Sequence, residues 1–501
     1  MSALLTRQTP APTARTRRGH SALVLGAVGA AVGALGSWIP SYWGDEAASV
    51  MSASRSWSSL AAELSTIDGV HGLYYSFLHL WIQMFGASEF ATRAPSAIGV
   101  GFMVAGTVVL VRCLGSARLA ILAGVVAIAL PRVTWMAAET RSYAIGAAAA
   151  VWLTVLLLSL VRRRAGARWW LAYGIAMAAG IYLFLYLVLL LAVHATFVML
   201  ANREVLRAWI KGAALALVLA SPIIVIGVLQ REQIEFLARR DYATPLNVIV
   251  KQWFGSIPVA IFCWALVAVA VVTFIVRARR SHSRLRSLTV LALVWVTVPT
   301  AVLVIGNATI APMYNMRYLT FATPAAAILV AIGMAAIARS VRNGAARRLT
   351  VGLLVAALLA LCLPGYLAQR GQFAKDGGSD LRQVAAFIGA NANPGDAVVF
   401  DQSTKPSRDP RLALRLYPAD FAAVRDVALV TPFAETSGLW DEVASIDDTW
   451  PALTGSRDVW AVDLGRNSSS SPDVTYLLSR GYELVSSTTV HRTTIHHLIK
   501  E

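Results

Sequence analysis

Charge is what this 501-residue chain has least of: 14% of it is Asp, Glu, Lys or Arg, against 57% hydrophobic residues. A soluble domain carries about 25% charged residues. A large soluble core is therefore excluded, and a polytopic membrane protein is expected. Acidic residues are scarcer than basic ones, 27 against 44, leaving a formal net charge of +17. That excess does not mark a nucleic-acid partner. The basic residues fall in short clusters between apolar runs, the pattern of cytoplasmic loops. Cysteine is nearly missing: Cys113, Cys263 and Cys362 lie far apart, in or at the ends of apolar runs. They have no CxxC or metal-ligand spacing and are expected as small buried residues. There is no P-loop and no Gly-rich nucleotide loop. Arg greatly outnumbers Lys and Ala is abundant, the bias of a GC-rich genome.

What is present is a series of long apolar runs. Arg7, Arg15, Arg17 and Arg18 precede the first, from about Ala22 to Ile39. This reads as an uncleaved first helix and not a signal peptide, because Asp45 follows closely and more spans come after. Membrane helices are expected at 21–39, 96–113, 117–131, 142–161, 169–184, 185–202, 208–229, 256–276, 287–306, 318–338 and 349–366. The stretch Trp169–Leu200 is long for one helix and short for two. It is split near Tyr186, since one span fewer would invert every later loop. The basic clusters agree with the split: Arg112 and Arg118, Arg162 to Arg168, Arg203 to Lys211, Arg277 to Arg286 and Arg339 to Arg348 all fall on one side. The expectation is a multi-pass plasma-membrane protein of about eleven helices, its N-terminus (1–20) cytoplasmic and its C-terminus outside.

Three segments then face outward. Residues 40–95 hold Asp45 and two amphipathic stretches, Ala48–Leu64 and Leu73–Phe85, the latter expected as a helix in the membrane interface. Residues 230–255 mix Gln230, Gln233, Arg239, Arg240 and Asp241. Beyond the membrane domain (21–366), residues 367–501 change to a soluble composition. Leu381–Ala390 reads as an amphipathic helix and Pro394-Gly395-Asp396 as a turn. Ala397–Phe400, Val427–Val430, Val459–Val462 and Tyr482–Ser487 read as strands, with a helix at Val474–Arg480. That alternation suggests a small α/β domain. Asn467-Ser468-Ser469 fits a sequon, which on its own carries little weight.

Asp45-Glu46 carries the most information. Two adjacent carboxylates stand at the mouth of the first membrane helix, among Trp38, Tyr42 and Trp43. Charges next to hydrocarbon usually face a polar cavity and carry function. With them come His71-Gly72-Leu73-Tyr74-Tyr75, Trp81, and Phe85-Gly86-Ala87-Ser88-Glu89-Phe90-Ala91-Thr92-Arg93-Ala94-Pro95-Ser96. Together these resemble the first outer loop of the GT-C glycosyltransferases, in particular the protein O-mannosyltransferase-like group and the lipid A aminoarabinose transferases. Glu139-Thr140-Arg141-Ser142-Tyr143 resembles that group's second outer loop. Tyr314-Asn315-Met316-Arg317-Tyr318-Leu319, with Pro324, resembles the start of a late helix. The resemblance covers about residues 20–370, and with the composition it points to an actinobacterial type of source.

The resemblance implies a GT-C membrane domain with an α/β domain beyond it. It implies an inverting enzyme that moves a sugar from a polyprenyl-phosphate donor to a glycan, lipoglycan or protein acceptor on the outer face. It also implies that Asp45 is the general base and that no metal is needed. Glu46 would orient Asp45, bind sugar hydroxyls or pair with an Arg. Arg141 and Arg317 suit the donor phosphate, because guanidinium binds phosphate oxygens bidentately and stays charged. Arg240 is an alternative on the later loop. His71, Tyr74, Tyr143 and Tyr318 are candidates for donor or acceptor contact, and Glu139 for an ion pair nearby. A nucleotide sugar is disfavoured as donor, since that pool is cytoplasmic. Mannose is the first expectation for the sugar and arabinofuranose the second. A lipid-linked-sugar transporter is the competing class, but no internal repeat is visible and the polar residues gather on one side.

Overall fold

In a bilayer a backbone must satisfy its own hydrogen bonds, so apolar runs of this length can only be helices. A computed structural model describes residues 13–201, 203–237, 239–240, 242–278, 284–465 and 471–501. Arg7, Asp241, Arg279, Arg280 and the Asn467 sequon lie outside the described residues. The helices are α1 Thr13–Ala34, α2 Gly44–Ser54, α3 Trp57–Thr66, α4 Gly72–Phe85, α5 Glu89–Leu114, α6 Ala117–Ala129, α7 Pro131–Met136 and α8 Tyr143–Arg163. They continue with α9 Ala167–Leu183, α10 Val188–Ala201, α11 Leu206–Leu229, α12 Ile257–Ala278, α13 Arg284–Thr309, α14 Thr323–Ser340 and α15 Gly344–Ala368.

Each of the eleven expected segments overlaps one of these helices. Among the described residues, seven helical segments are long and apolar enough to cross a membrane: Glu89–Leu114, Tyr143–Arg163, Arg203–Leu229, Ile257–Val276, Arg284–Thr309, Met316–Ser340 and Gly344–Ala368. His20–Ala34, Ala117–Ala129 and Leu185–Leu200 are apolar but shorter. The segment Met316–Ser340 is central, with 89% of its apolar window buried, whereas Gly344–Ala368 is peripheral at 11%. α14 lies so close to α12 that a Cβ on Gly333 would collide with the Leu266 carbonyl. Such small residues let helix backbones approach where hydrophobicity alone gives no driving force.

Two boundaries differ from the sequence expectation. α1 ends at Ala34 and not near Ile39: Gly36 just past it takes a left-handed φ of 71°, and Arg370 reaches back to the Gly33 and Leu35 carbonyls, each at 3.0 Å. Helix-end carbonyls need such partners. The stretch Ala48–Leu64 is two helices. Arg55 leaves helical geometry, and Ser56 caps α3 by accepting from the Ser59 amide at 3.2 Å. The Trp169–Leu200 run does break, at the extended residue Phe184, and a short 3₁₀ turn, Leu185–Leu187, follows.

After α15 comes a sheet domain. It contains α16 Leu381–Asn391, β1 Ala397–Phe400, α17 Leu412–Leu416, β2 Arg425–Asp426, β3 Leu429–Thr431, β4 Glu442–Val443, α18 Trp450–Leu453, β5 Asp458–Leu464, α19 Pro472–Ser479, β6 Glu483–Thr489 and β7 Thr493–Ile499. The main sheet runs β2-β1-β5-β7-β6, with β2, β1 and β5 parallel and the other pairs antiparallel. Strand alternation sends Val398, Phe400, Trp460 and Val462 to one face, against Leu381, Val384, Ala385 and Ile388 of α16. The opposite face packs Val399 and Val459 on Val474 and Leu477 of α19. Of the expected strand Val427–Val430 only Leu429 and Val430 are strand, in β3; β2 ends at Asp426 and belongs to the other sheet. The terminal strand β7 was not expected from the sequence, yet it holds β5 and β6 together. Ala47 and Met51 of α2 complete the α16 cluster, so this early helix is part of the sheet domain's core.

Candidate active site

Asp45 and Glu46 stand side by side in the first turn of α2, at the end of a helix that favours negative charge. Successive helical residues point about 100° apart, and the two carboxylates part company. Glu46 turns inward and is fully buried. Its oxygens take Nε and Nη2 of Arg93 at 2.8 and 2.6 Å and the Thr140 amide at 2.9 Å. Arg93 spends its remaining donors on the Ser37, Pro40 and Ser41 carbonyls. Burial opposes the Glu46 charge, but Arg93 and Lys375 outweigh it and hold the carboxyl below its ordinary range. Asp45 instead turns into a cavity, its side chain 30% exposed.

Arg317 meets Asp45 there, Nη1 to Oδ2 at 2.5 Å. It sits in a 3₁₀ turn, Met316–Ala322, that leads into α14 and is capped by Asn315 Oδ1 on the Arg317 amide at 3.1 Å. Its guanidinium lies over the Trp43 ring, 4.7 Å from the centroid, a favourable cation–π placement. Trp43 is fixed in turn, donating its indole N–H to Glu139 at 3.0 Å. Glu139 is buried against the Lys375 ammonium. Burial is the largest influence on both, pushing Glu139 up and Lys375 down, so each is drawn toward its neutral form.

Arg141, between α7 and α8, spreads over the cavity floor. Nη1 donates to Tyr75 Oη at 3.2 Å, Ser49 Oγ at 3.1 Å and the Asp45 carbonyl at 3.4 Å. Nη2 donates to His71 Nε2 at 3.2 Å. Burial disfavours its charge, but Tyr75, Tyr143, Asp45 and Asp68 overcome that and keep it cationic. Because Arg141 can only donate, His71 accepts on Nε2 and carries its proton on Nδ1. Burial first, and Arg141 second, lower the His71 pKa to about 4. Tyr75 Oη passes the chain on to Asp68 at 2.7 Å.

The cavity, about 240 Å3, is lined by Asp45, His71, Arg141, Tyr143, Arg317 and Tyr318 of the residues singled out in the sequence. Tyr318 stacks on Tyr186 at 4.2 Å, and Tyr143 packs against Phe184, both at the break between α9 and α10. Glu46 and Glu139 stand behind this layer as ion-pair partners. Tyr74 is buried in α4 packing, its hydroxyl without a partner among the described residues. Arg240 lies exposed, donating to Tyr242 at 2.9 Å, and does not line the cavity. Sequence reasoning missed Asp68, Arg231 and Asn315, and also Ser407, Leu439 and Trp440 from the sheet domain. Gln230 and Gln233 were visible only as polar residues of a loop; Gln230 ties that loop to the Gly69 amide at 2.8 Å.

Three arginines, 141, 231 and 317, face two aspartates, 45 and 68. Beside them Val70, Phe184, Leu185, Ile234 and Phe236 make an apolar wall. Such a cavity can hold an anion attached to an apolar chain, with one carboxylate free to act as a base.

No protein-family model matches the chain, and no curated protein matches it. Solved structures do. ArnT from Cupriavidus metallidurans bound to undecaprenyl phosphate is similar, with a TM-score of 0.58 and 14% identity, over 97% of this chain and 98% of that one. The apo state of the same protein gives 0.55 and 13%, over 95% and 97%. A crystal structure of the Archaeoglobus fulgidus oligosaccharyltransferase tethered to an acceptor peptide gives 0.45 and 10%, over 77% and 60%. The chain therefore shares its fold with ArnT over nearly its whole length, the sheet domain included.

Proposed function

We propose that this chain is an inverting glycosyltransferase. It moves a sugar, mannose, from a polyprenyl-phosphate donor to an acceptor hydroxyl on the outer face of the membrane. The observation that carries this is the Asp45–Arg317 pair, with Arg141 beside it, inside a cavity that is part cationic and part apolar. The fold shared with ArnT, a protein seen with undecaprenyl phosphate bound, supports a lipid phosphate as the donor's anchor.

In this reading the donor phosphate displaces Asp45 from Arg317. The guanidinium exchanges one anion for another, and the carboxylate is released at the moment the donor arrives. The acceptor oxygen then attacks the anomeric carbon while Asp45 takes its proton. The bond from that carbon to the phosphate oxygen breaks, and Arg317 and Arg141 receive the charge that develops on the departing polyprenyl phosphate. Preorganised cations in a dry site are the largest contribution expected of the protein here. One-step displacement inverts the anomeric centre. The packed Trp43–Glu139–Lys375 layer keeps Arg317 in place.

The test is transfer of radiolabelled mannose from polyprenyl-phosphate-mannose to envelope acceptors, in membranes bearing wild type or Asp45→Asn. Transfer that the substitution removes supports the reading. Transfer that survives it moves the base elsewhere. Transfer seen only with polyprenyl-phosphate-arabinofuranose corrects the sugar and keeps the chemistry.

A further inference from the structure

The sheet domain does not stand apart from the cavity: Ser407, Leu439 and Trp440 form one side of it. We infer that this side is the acceptor subsite and that it takes a neutral glycan, with one sugar ring stacked on the Trp440 indole. The inference rests on the glycosyl-transfer reading above.

First, the wall is built to be rigid. The loop that ends in Leu439–Trp440 is fastened to α3 by side chains that bond its backbone. Arg55 donates to the Thr436 and Gly438 carbonyls at 2.8 and 2.5 Å, and Thr66 to Ser437 at 2.5 Å. Arg55 is itself locked by a buried pair with Glu63 at 2.7 Å.

Second, the wall is in register with the base. Gly44, next to Asp45, lies so near Ser407 that a Cβ there would strike the Ser407 carbonyl. Only glycine allows this approach. Whatever rests on the sheet-domain wall is thereby held beside the Asp45 carboxylate.

Third, the chemistry of the wall is selective. The cavity's arginines come from the membrane part and the 231 loop; Ser407, Leu439 and Trp440 bring a hydroxyl, an aliphatic surface and an aromatic face, with no charge. An aromatic face is electron-rich, and the axial C–H groups of a pyranose are weakly positive, so the two stack. The cavity's cations, Arg141, Arg231 and Arg317, are left to the donor phosphate in the glycosyl-transfer reading.

The test uses the full chain in lipid nanodiscs, labelled with 5-fluorotryptophan, the Trp440 resonance being assigned by its loss in Trp440→Phe. The probes are undecaprenyl phosphate, an α-linked mannotetraose, an arabinotetraose and a Ser/Thr-rich peptide. A tetrasaccharide should shift the Trp440 signal. Trp440→Ala should weaken tetrasaccharide binding by about tenfold or more, the loss typical of a central aromatic anchor. Trp440→Phe should restore most of it, and undecaprenyl phosphate should bind all three proteins alike. Binding of undecaprenyl phosphate with no Trp440 response to either tetrasaccharide overturns the inference and leaves the transfer reading standing. A Trp440 shift caused by the peptide instead overturns the acceptor class. No binding of the lipid or of any sugar overturns both.

Discussion

Asp45 and Glu46 have the same chemistry and adjacent numbers, but they should fail in different ways when altered. Asp45→Asn keeps the shape and the Arg317 contact while removing the base. It should lower transfer by about a hundredfold or more and leave thermal unfolding of the purified protein close to wild type. Glu46→Gln strips the charge that balances Arg93 at a fully buried site. Breaking a buried pair by removing one partner costs about 3–5 kcal/mol, so the variant should unfold well below wild type or fail to accumulate. Equal melting temperatures for the two would show that Glu46 is not the anchor. His71 adds a pH test. Its folded-state pKa is about 4 and its unfolded value is about 6.5. Between them the unfolded chain holds the extra proton, so stability falls as pH drops from 6.5 toward 4. His71→Asn should flatten that slope in thermal melts. The pair of carboxylates was legible in the sequence because charge beside hydrocarbon is costly. Which of the two faces the cavity was not legible, because it depends on the phase of a helix whose start no residue pattern marks: Trp43 caps α2 without a side-chain bond.

At the scale of elements, the long helices were legible because a bilayer leaves the backbone no alternative. Their ends were not. The end of α1 is completed by Arg370, more than three hundred residues later, which takes the Gly33 and Leu35 carbonyls. The strand β7 escaped notice because Thr493, Thr494, His496 and His497 break the apolar pattern, although all but His497 are buried by pairing on both sides. The seam between α12 and α14 shows what sequence pattern does not carry. Gly333 reads as one small residue among many, yet it is where one backbone rests on another. Gly333→Leu would force the helices apart. Overpacking of this kind costs about 1–3 kcal/mol, and because α14 follows directly from the Arg317 turn, the displacement should reach the cavity. The expected outcome is a lower melting temperature together with weaker undecaprenyl phosphate binding. Loss of stability with lipid binding unchanged would show that the turn is held independently of the helix.

For the whole molecule, composition separates a membrane part from a soluble part near residue 367, but that division hides a dependence between them. α2 belongs by sequence to the segment after the first helix and by packing to the sheet domain, where Ala47 and Met51 meet Leu381, Val384 and Leu412. The helix that carries the candidate base is thus held from above by a core formed more than three hundred residues later. A chain ending at Gly378 tests this, because it keeps Lys375 on Glu139 and Arg370 on α1 while removing α16 and α17, which cover one side of α2. Without that side, α2 keeps its contacts with α4 and its Glu46–Arg93 pair, and an eleven-residue helix is too short to hold itself without packing. Amides of residues 44–54 should then exchange with solvent far faster than in the full chain, as hydrogen–deuterium exchange would read. Transfer should vanish although the membrane helices remain inserted. Slow exchange across 44–54 in the shortened chain would show instead that α4 and α5 are enough to hold α2, and the sheet domain would be left with the acceptor wall as its only part in the site.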